Sequence, residues 1–382
     1  MIEDLRSASR TDVGGGFPRY AAAVQGFSNY WYPVLFGRDL GRKPRAVTLC
    51  GERLVLVRDR GRVYALHNRC PHRGVPLSSG RRECAGTITC IYHGWTYDLA
   101  TGRLEAALTD GPESPICGKV NVRTFPVAER AGLIWVYVGD QPAPPVEADI
   151  PRELLRPNTV VEGVISRQRG NWRYAAENGI DEGHVRYLHR WTPWTMFREI
   201  PAWTRMHMGP SDDGEWLTRV VDEVTWSDTY PRVGRWPRVR PWQSRARGAL
   251  EIGIRLPCWL RVRQRGWTSY EIYVPSDTRN YLSGLLATTQ ARGMEAAQFR
   301  AKYRLWFRWI FHGWFHGWDQ WIIEQMQIPP ERLYRPDASI TAWRRLCEEQ
   351  TRGAPIPASR TGTPALAANG ATREPQPADV PV

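Results

Sequence analysis

Lysine is nearly absent from this chain. Lys43, Lys119 and Lys302 are the whole complement, so 49 of the 52 basic residues are arginine, and they are dispersed without forming one basic run. A nucleic-acid reader gathers its positive charge on one face or along one helix, and this dispersal sets nucleic acid aside as a partner. The net charge of +13 can still give a patch that steers an acidic protein. Long apolar runs are missing too, since nothing approaches the roughly 18 to 20 uncharged residues of a membrane span. The opening residues MIEDLRSASR place acids where a secretory leader has its basic and apolar regions. We therefore expect a soluble protein of the cytoplasm, with no membrane attachment. Cysteine is sparse and odd in number, seven in 382 residues, which excludes a disulfide-stapled scaffold and leaves thiolates free for metals. No glycine-rich dinucleotide loop stands beside a strand. No internal repeat is evident.

What is present is ordinary globular composition, 42% hydrophobic and 24% charged, and length enough for two domains. Residues 1–26 read as an N-terminal arm. Short β-type runs follow, with Arg53 to Val57 and Val63 to Leu66 forming one hairpin, Trp95 to Asp98 and Arg103-Leu104 a second, and Leu133 to Val138 an apolar strand. An all-β domain is expected over 27–145, ending in the proline-rich Gly139 to Pro145. The rest, 146–350, reads as α+β: a helical segment from Asn171 to Leu188, strand candidates at Leu217–Val224, Leu250–Val262, Thr268–Val274 and Tyr281–Thr289, then a long helix from Ala296 to Met326 stopped by Pro329-Pro330. Residues 351–382, rich in Pro, Ala, Gly and Thr, read as a disordered tail. Nine tryptophans between 191 and 267 fit either a roomy aromatic pocket for a planar hydrophobic substrate or plain core packing.

The first chemical constellation is Cys70-Pro71-His72-Arg73-Gly74 followed, with 17 residues between His72 and Cys90, by Cys90-Ile91-Tyr92-His93-Gly94-Trp95. Two readings compete, a structural zinc ion with two Cys and two His, or a [2Fe–2S] cluster in which histidines replace the thiolates on one iron. Zinc pairs usually leave two to five residues between ligands of one loop, and Cys70 and His72 leave one. A binuclear cluster removes the conflict, because each loop sends its Cys to one iron and its His to the other. This pattern resembles the Rieske iron–sulfur motif.

The second constellation runs from Asn171 to His189. Asp181 and His184 are three apart, on one helix face, but His189 lies about 140° further round a regular helix. An undistorted helix could not aim both imidazoles at one ion, so it must bulge or end there, and Trp191-Thr192-Pro193 supplies a stop. Two histidines and a carboxylate with open positions make the non-haem Fe(II) oxygenase arrangement.

Taken together, Asp181-x-x-His184-x4-His189 downstream of the Cys/His pair resembles the terminal components of Rieske non-haem iron oxygenases, over nearly the whole chain from about Phe27 to Arg345. That resemblance implies a Rieske domain beside a helix-grip catalytic domain with an antiparallel sheet covered by helices. It implies a [2Fe–2S] cluster on Cys70, His72, Cys90 and His93, and a mononuclear Fe(II) on His184, His189 and an aspartate more than a hundred residues later. Asp319 fits that aspartate by position. Its rivals are Glu324, which points about 140° away, and a separate stripe of His312 and His316 with Asp319 itself. The roles of His312 and His316 stay open.

In the family the cluster of one subunit serves the iron of its neighbour. Asp181 is then expected to be a relay between His93 across the interface and His184, and Asn178 to lie beside the iron ligands. Asn29-Tyr30-Trp31-Tyr32-Pro33 and Glu177-Asn178-Gly179 are similar to homotrimeric members. In the one member most similar on these residues, three residues separate the iron histidines. Here there are four, the commoner spacing in the wider family, so the substrate does not carry over. The function implied is O2-dependent hydroxylation of an aromatic, polycyclic or heteroaromatic compound, ring dioxygenation first, with NADH electrons arriving through a separate reductase and ferredoxin. The alternatives are a Rieske monooxygenase or demethylase, and an electron-transfer protein with a vestigial second site.

Overall fold

The computed structural model describes residues 16–111, 113–181, 183–189, 192, 203–225, 251–264, 266–326 and 331–358. The expected helix stops at Trp191, Pro193, Pro329 and Pro330, residues 1–15 of the arm and residues 359–382 of the tail lie outside them. No helix among the described residues is long and apolar enough to cross a membrane.

A short helix, α1 (Pro18–Ala22), precedes ten strands that form three small antiparallel sheets. One joins β1 (Tyr30–Phe36), β9 (Val127–Arg130) and β10 (Leu133–Val138) in the order β1-β10-β9. A second joins β2 (Arg45–Leu49), β3 (Glu52–Asp59), β4 (Arg62–His67) and β8 (Thr124–Phe125). The third joins β5 (Thr87–Thr89), β6 (Trp95–Asp98) and β7 (Leu104–Ala107). Both hairpins read from the sequence are present, β3 with β4 and β6 with β7. Every residue of β10 is buried, as its unbroken apolar run requires of a strand flanked on both sides.

Beyond the proline-rich segment stands a seven-stranded antiparallel sheet in the order β11-β17-β16-β15-β14-β13-β12. Its strands are β11 (Thr159–Arg169), β12 (Trp203–Pro210), β13 (Leu217–Thr225), β14 (Glu251–Arg255), β15 (Trp259–Gln264), β16 (Trp267–Pro275) and β17 (Asn280–Gln290). Strands β11 and β12 escaped the sequence reading. The run Leu250–Val262, read as one strand, is the hairpin β14–β15, turned at Leu256-Pro257-Cys258, where proline has no N–H for a ladder. Of the nine tryptophans, Trp216 and Trp259 are core and Trp267 stacks on Phe307 with centroids 5.1 Å apart, so these three serve packing.

The helical segments also differ from expectation. Asn171 to Leu188 is two helices, α2 (Trp172–Ile180) and α3 (Gly183–Leu188), so Asp181 and His184 do not share one helix face. The break falls at Asp181, whose extended backbone frees its carboxylate to accept the N–H groups of Gly183 (2.8 Å) and His184 (3.2 Å). A short carboxylate competes well for such N–H groups at a helix start. The expected long helix is α4 (Gly293–Lys302), then a π-helix over Tyr303–Phe315, then α5 (His316–Gln325).

The largest hydrophobic core is continuous across the proline-rich segment. It holds β1 and β10 together with Trp172, Trp259 and Ile272 of the large sheet and its helices. A separate core of Val55, Val57, Leu66, Cys70, Cys90 and Tyr97 lies under the Cys/His loops. Residues 17–26 do not stand apart as an arm, since Tyr20 and Ala23 are fully buried and the Trp172 indole donates to the Ala23 carbonyl (2.9 Å). Nor does the tail begin at 351: Ile356 exchanges backbone hydrogen bonds with Gln25 and Gly26. A β-carbon at Gly353 would stand 1.9 Å from the Ser28 carbonyl oxygen. Helix α6 (Ala338–Gln350) is tied to α2 by Arg344, which donates to both oxygens of Glu177 at 2.7 and 2.9 Å.

Candidate metal centres

The two Cys/His loops are built alike. In each, the glycine four residues after the cysteine donates back to its carbonyl, Gly74 to Cys70 (2.8 Å) and Gly94 to Cys90 (3.1 Å), and each cysteine N–H donates to the residue just beyond, Val75 or Trp95. Both glycines hold positive φ, 78° and 66°. A β-carbon at Gly94 would also press on Leu108 at 2.9 Å, so glycine is required there twice over. The result sinks Cys70 and Cys90 into the small core, while His72 and His93 rise to the rim with ring centroids 4.6 Å apart. Trp95 stacks on the His72 ring (4.6 Å, 7°) and fixes its plane.

Burial and Cys70 push the Tyr97 hydroxyl far above its usual range, so it keeps its proton, 3.2 Å from Cys70 Sγ. Two buried sulfurs below and two imidazoles at the rim, delivered by twin loops, suit a binuclear iron–sulfur group with one sulfur-bound and one histidine-bound iron.

The second site draws on α3, the residue just past it, and α5. His189 Nε2 is 2.9 Å and His184 Nε2 3.3 Å from the same oxygen, Asp319 Oδ1. One donor atom from each of the three lies within 4.8 Å of the others. Donors at right angles on an ion with bonds of about 2.1 Å stand about 3.0 Å apart, so these spacings fit one metal of the two-histidine, one-carboxylate kind. Burial raises the Asp319 carboxyl, but the three histidines around it outweigh that and hold it well below its ordinary value. Burial alone would lower His184; Asp181 and Asp319 lift it to about 10. The two carboxylates thus favour positive charge in this pocket, as a bound dication would supply.

The surroundings hold the donors in position. Asn178 Nδ2 donates to Asp319 Oδ1 (3.0 Å), and Asp181 Oδ2 lies 3.5 Å from His184 Nδ1. Phe315, the last residue of the π-helix, stacks face to face on His189 at 3.8 Å and 9°. The π-to-α change at this point is what presents Phe315 and His316 to the site side by side.

Of the rivals to Asp319, Glu324 accepts from Gln320 (3.0 Å) on the exposed side. His312 is held by Tyr303 through Nδ1 (2.9 Å), so the stripe of His312, His316 and Asp319 does not converge as a separate site. His316 does reach Asp319, with Nδ1 3.4 Å from Oδ2. Sequence reasoning missed Tyr97 and Phe315. Neither stands in a motif, and only the aromatic density around Phe311 to Trp318 hinted at Phe315.

Residues 30–126 match the family described as the Rieske [2Fe-2S] domain, and residues 137–355 match the one described as homotrimeric ring hydroxylase. Among curated relatives, the terminal oxygenase component of carbazole 1,9a-dioxygenase from a Sphingomonas species is 34% identical over 363 residues, 87% of this chain and 94% of that one. The solved terminal oxygenase of carbazole 1,9a-dioxygenase from Novosphingobium sp. KA1 superposes with a TM-score of 0.77 at 28% identity, covering 89% of this chain and 97% of that one. A reduced complex between oxygenase and ferredoxin of carbazole 1,9a-dioxygenase superposes with a TM-score of 0.75 at 28% identity, covering 88% and 93%.

Proposed function

The chain belongs to the homotrimeric ring hydroxylase family of Rieske oxygenases, and from that premise we propose the residues that do its work and the substrate class it takes. It is the terminal oxygenase of a Rieske non-haem iron, aromatic-ring-hydroxylating system. When bound, a [2Fe–2S] cluster supplies single electrons that derive from NADH through partner proteins, and Fe(II) supplies the place where O2 is activated.

In our reading Cys70 and Cys90 hold the sulfur-ligated iron of the cluster, and His72 and His93 the other. His184, His189 and Asp319 hold the mononuclear Fe(II), and Asn178 fixes the Asp319 oxygen that faces the histidines. Asp181 orients the His184 ring and is the carboxylate through which the partner subunit's His93 would meet it, coupling electron arrival to proton movement. Exposure of the His72 and His93 edges supports the rim as the place where electrons enter from a ferredoxin and leave toward the neighbouring subunit. Residues 27–145 act as the electron-storing unit and 146–350 as the oxygenating unit, in a cytoplasmic homotrimer. The substrate is a planar aromatic or heteroaromatic compound, and the reaction is ring dioxygenation.

The observation that carries this reading is the approach of both histidine Nε2 atoms to one Asp319 oxygen. Metal analysis after anaerobic reconstitution tests it, with three irons and two sulfides per chain expected. Product analysis with ferredoxin, reductase and a panel of polycyclic, heteroaromatic and methylated compounds then follows. Two irons in a chain that keeps its cluster would defeat the oxygenating site, and demethylated or singly hydroxylated products alone would defeat ring dioxygenation.

A further inference from the structure

Glu271 is a buried carboxylate in the middle of β16, a strand buried along most of its length. Burying a carboxylate is costly unless it is paired and hydrogen-bonded, so its neighbours show what holds it there. Tyr273, two residues on and so on the same face of the strand, donates its hydroxyl to Glu271 Oε2. On the other side His316 Nε2 lies 3.7 Å from Glu271 Oε1, and the opposite nitrogen of that ring, Nδ1, lies 3.4 Å from Asp319 Oδ2.

Asp319 therefore has two differently employed oxygens. Oδ1 faces His184, His189 and the Asn178 amide, while Oδ2 faces His316. The chain of contacts nearly closes on itself. A β-carbon at Gly179, the neighbour of Asn178 in α2, would stand 2.0 Å from the Tyr273 hydroxyl, so glycine is what lets that tyrosine reach Glu271. Helices α2 and α5 thus meet above β16 around Asn178, Asp319, His316, Glu271 and Tyr273.

We propose that His316, anchored by Glu271, is a positioning residue that occupies the second oxygen of Asp319 and so keeps this carboxylate a one-oxygen ligand. A carboxylate free to swing can offer both oxygens and take up a coordination position that the two-histidine, one-carboxylate arrangement leaves open. His316 holds Oδ2 away from the donors, and Glu271 holds His316 by its far nitrogen. Such outer partners typically change metal affinity by about 10–100-fold when removed. The inference rests on the reading of His184, His189 and Asp319 as the iron site.

The test uses the full chain with its cluster, comparing wild type with His316→Phe, His316→Asn and Glu271→Leu. The mononuclear Fe(II) dissociation constant is measured by chelator competition, and the EPR signal of the nitric oxide-treated ferrous site reports its symmetry. The visible absorption of the cluster serves as the folding control. His316→Phe should change the Fe(II) dissociation constant at least tenfold and change the EPR symmetry. Glu271→Leu, which touches no proposed ligand, should shift both readouts in the same direction by less.

The amide of His316→Asn can stand where Nδ1 stands, and it should restore affinity to within roughly threefold of wild type. Wild-type affinity and symmetry in both His316→Phe and Glu271→Leu would overturn the proposal, as would an Asn variant no better than Phe. A wild-type chain that takes up no third iron would instead bring down the iron-site reading beneath it.

Discussion

The Cys/His cradle and the His/His/Asp pocket, each of which we propose to hold a metal, are built by opposite means. All four cradle donors come from residues 70–93, and each pair is set by a loop of five residues closed by its own backbone hydrogen bonds. The pocket joins residues 184 and 189 to residue 319, across 130 positions of sequence from His189. Its geometry depends on a capped helix start at Asp181, a helix that ends early, and a π-helix that hands over to α5. The cradle places its histidines toward the surface, as the proposed electron port requires, whereas His189 is fully buried under Phe315. Local turn chemistry suffices for a relay. An oxygen-activating site needs walls, and only distant segments packed together supply them.

If the two centres are structurally independent, each can be destroyed alone. Asp319→Ala should abolish mononuclear iron uptake and reduce turnover to background while leaving the cluster spectrum intact. Cys90→Ser should erase the visible absorption and leave Fe(II) binding at the other site, as metal analysis and calorimetric titration would show. Loss of both metals in either variant would break the comparison. Asp181→Asn sharpens it, because both metals should remain bound while turnover falls to near zero in a steady-state assay with ferredoxin and reductase. Full activity in a metal-replete variant would refute the relay role.

The next effect is on stability. Arg344 is buried against Glu177 and Glu331, with four contacts between 2.6 and 2.9 Å. Arg344→Met strands the Glu177 carboxylate and should cost about 3–5 kcal/mol in denaturant unfolding. Since α2 carries both Glu177 and Asn178, iron retention should fail at lower denaturant than the cluster absorption does. The smallest effect belongs to the cradle. Tyr97→Phe removes a donor to Cys70 Sγ, and a hydrogen bond of about 1 kcal/mol corresponds to about 40 mV for one electron. The cluster potential should fall by roughly that amount in a redox titration, with no change in iron affinity at the other centre.

Legibility in the sequence follows the same division. Cys70, His72, Cys90 and His93 could be read directly because the backbone that presents them is local, and Gly74 and Gly94 mark the tight returns. The pair His184 and His189 was legible as a contradiction, since a regular helix could not aim both at one ion. The contradiction is resolved where α3 ends at Leu188, which leaves His189 just past the helix and free of its period. Strand β11 passed unnoticed because Gly163 and a polar second half interrupt its apolar alternation. Hairpin β14–β15 was read as one strand because its turn, Leu256-Pro257-Cys258, is itself mostly apolar.

The sequence by itself determined the donor chemistry: two thiolates and two imidazoles on glycine-closed loops, then two further imidazoles beside a carboxylate, in a chain without a dinucleotide loop of its own. Those properties reside in side-chain type and short-range backbone preference, which need no distant partner. Only the tertiary structure decided that Asp319 and not Glu324 faces the histidines, that His312 stays with Tyr303, and that Glu271 stands behind His316. Each of those outcomes depends on where two helices settle on a sheet, and that is fixed by packing between segments far apart along the chain.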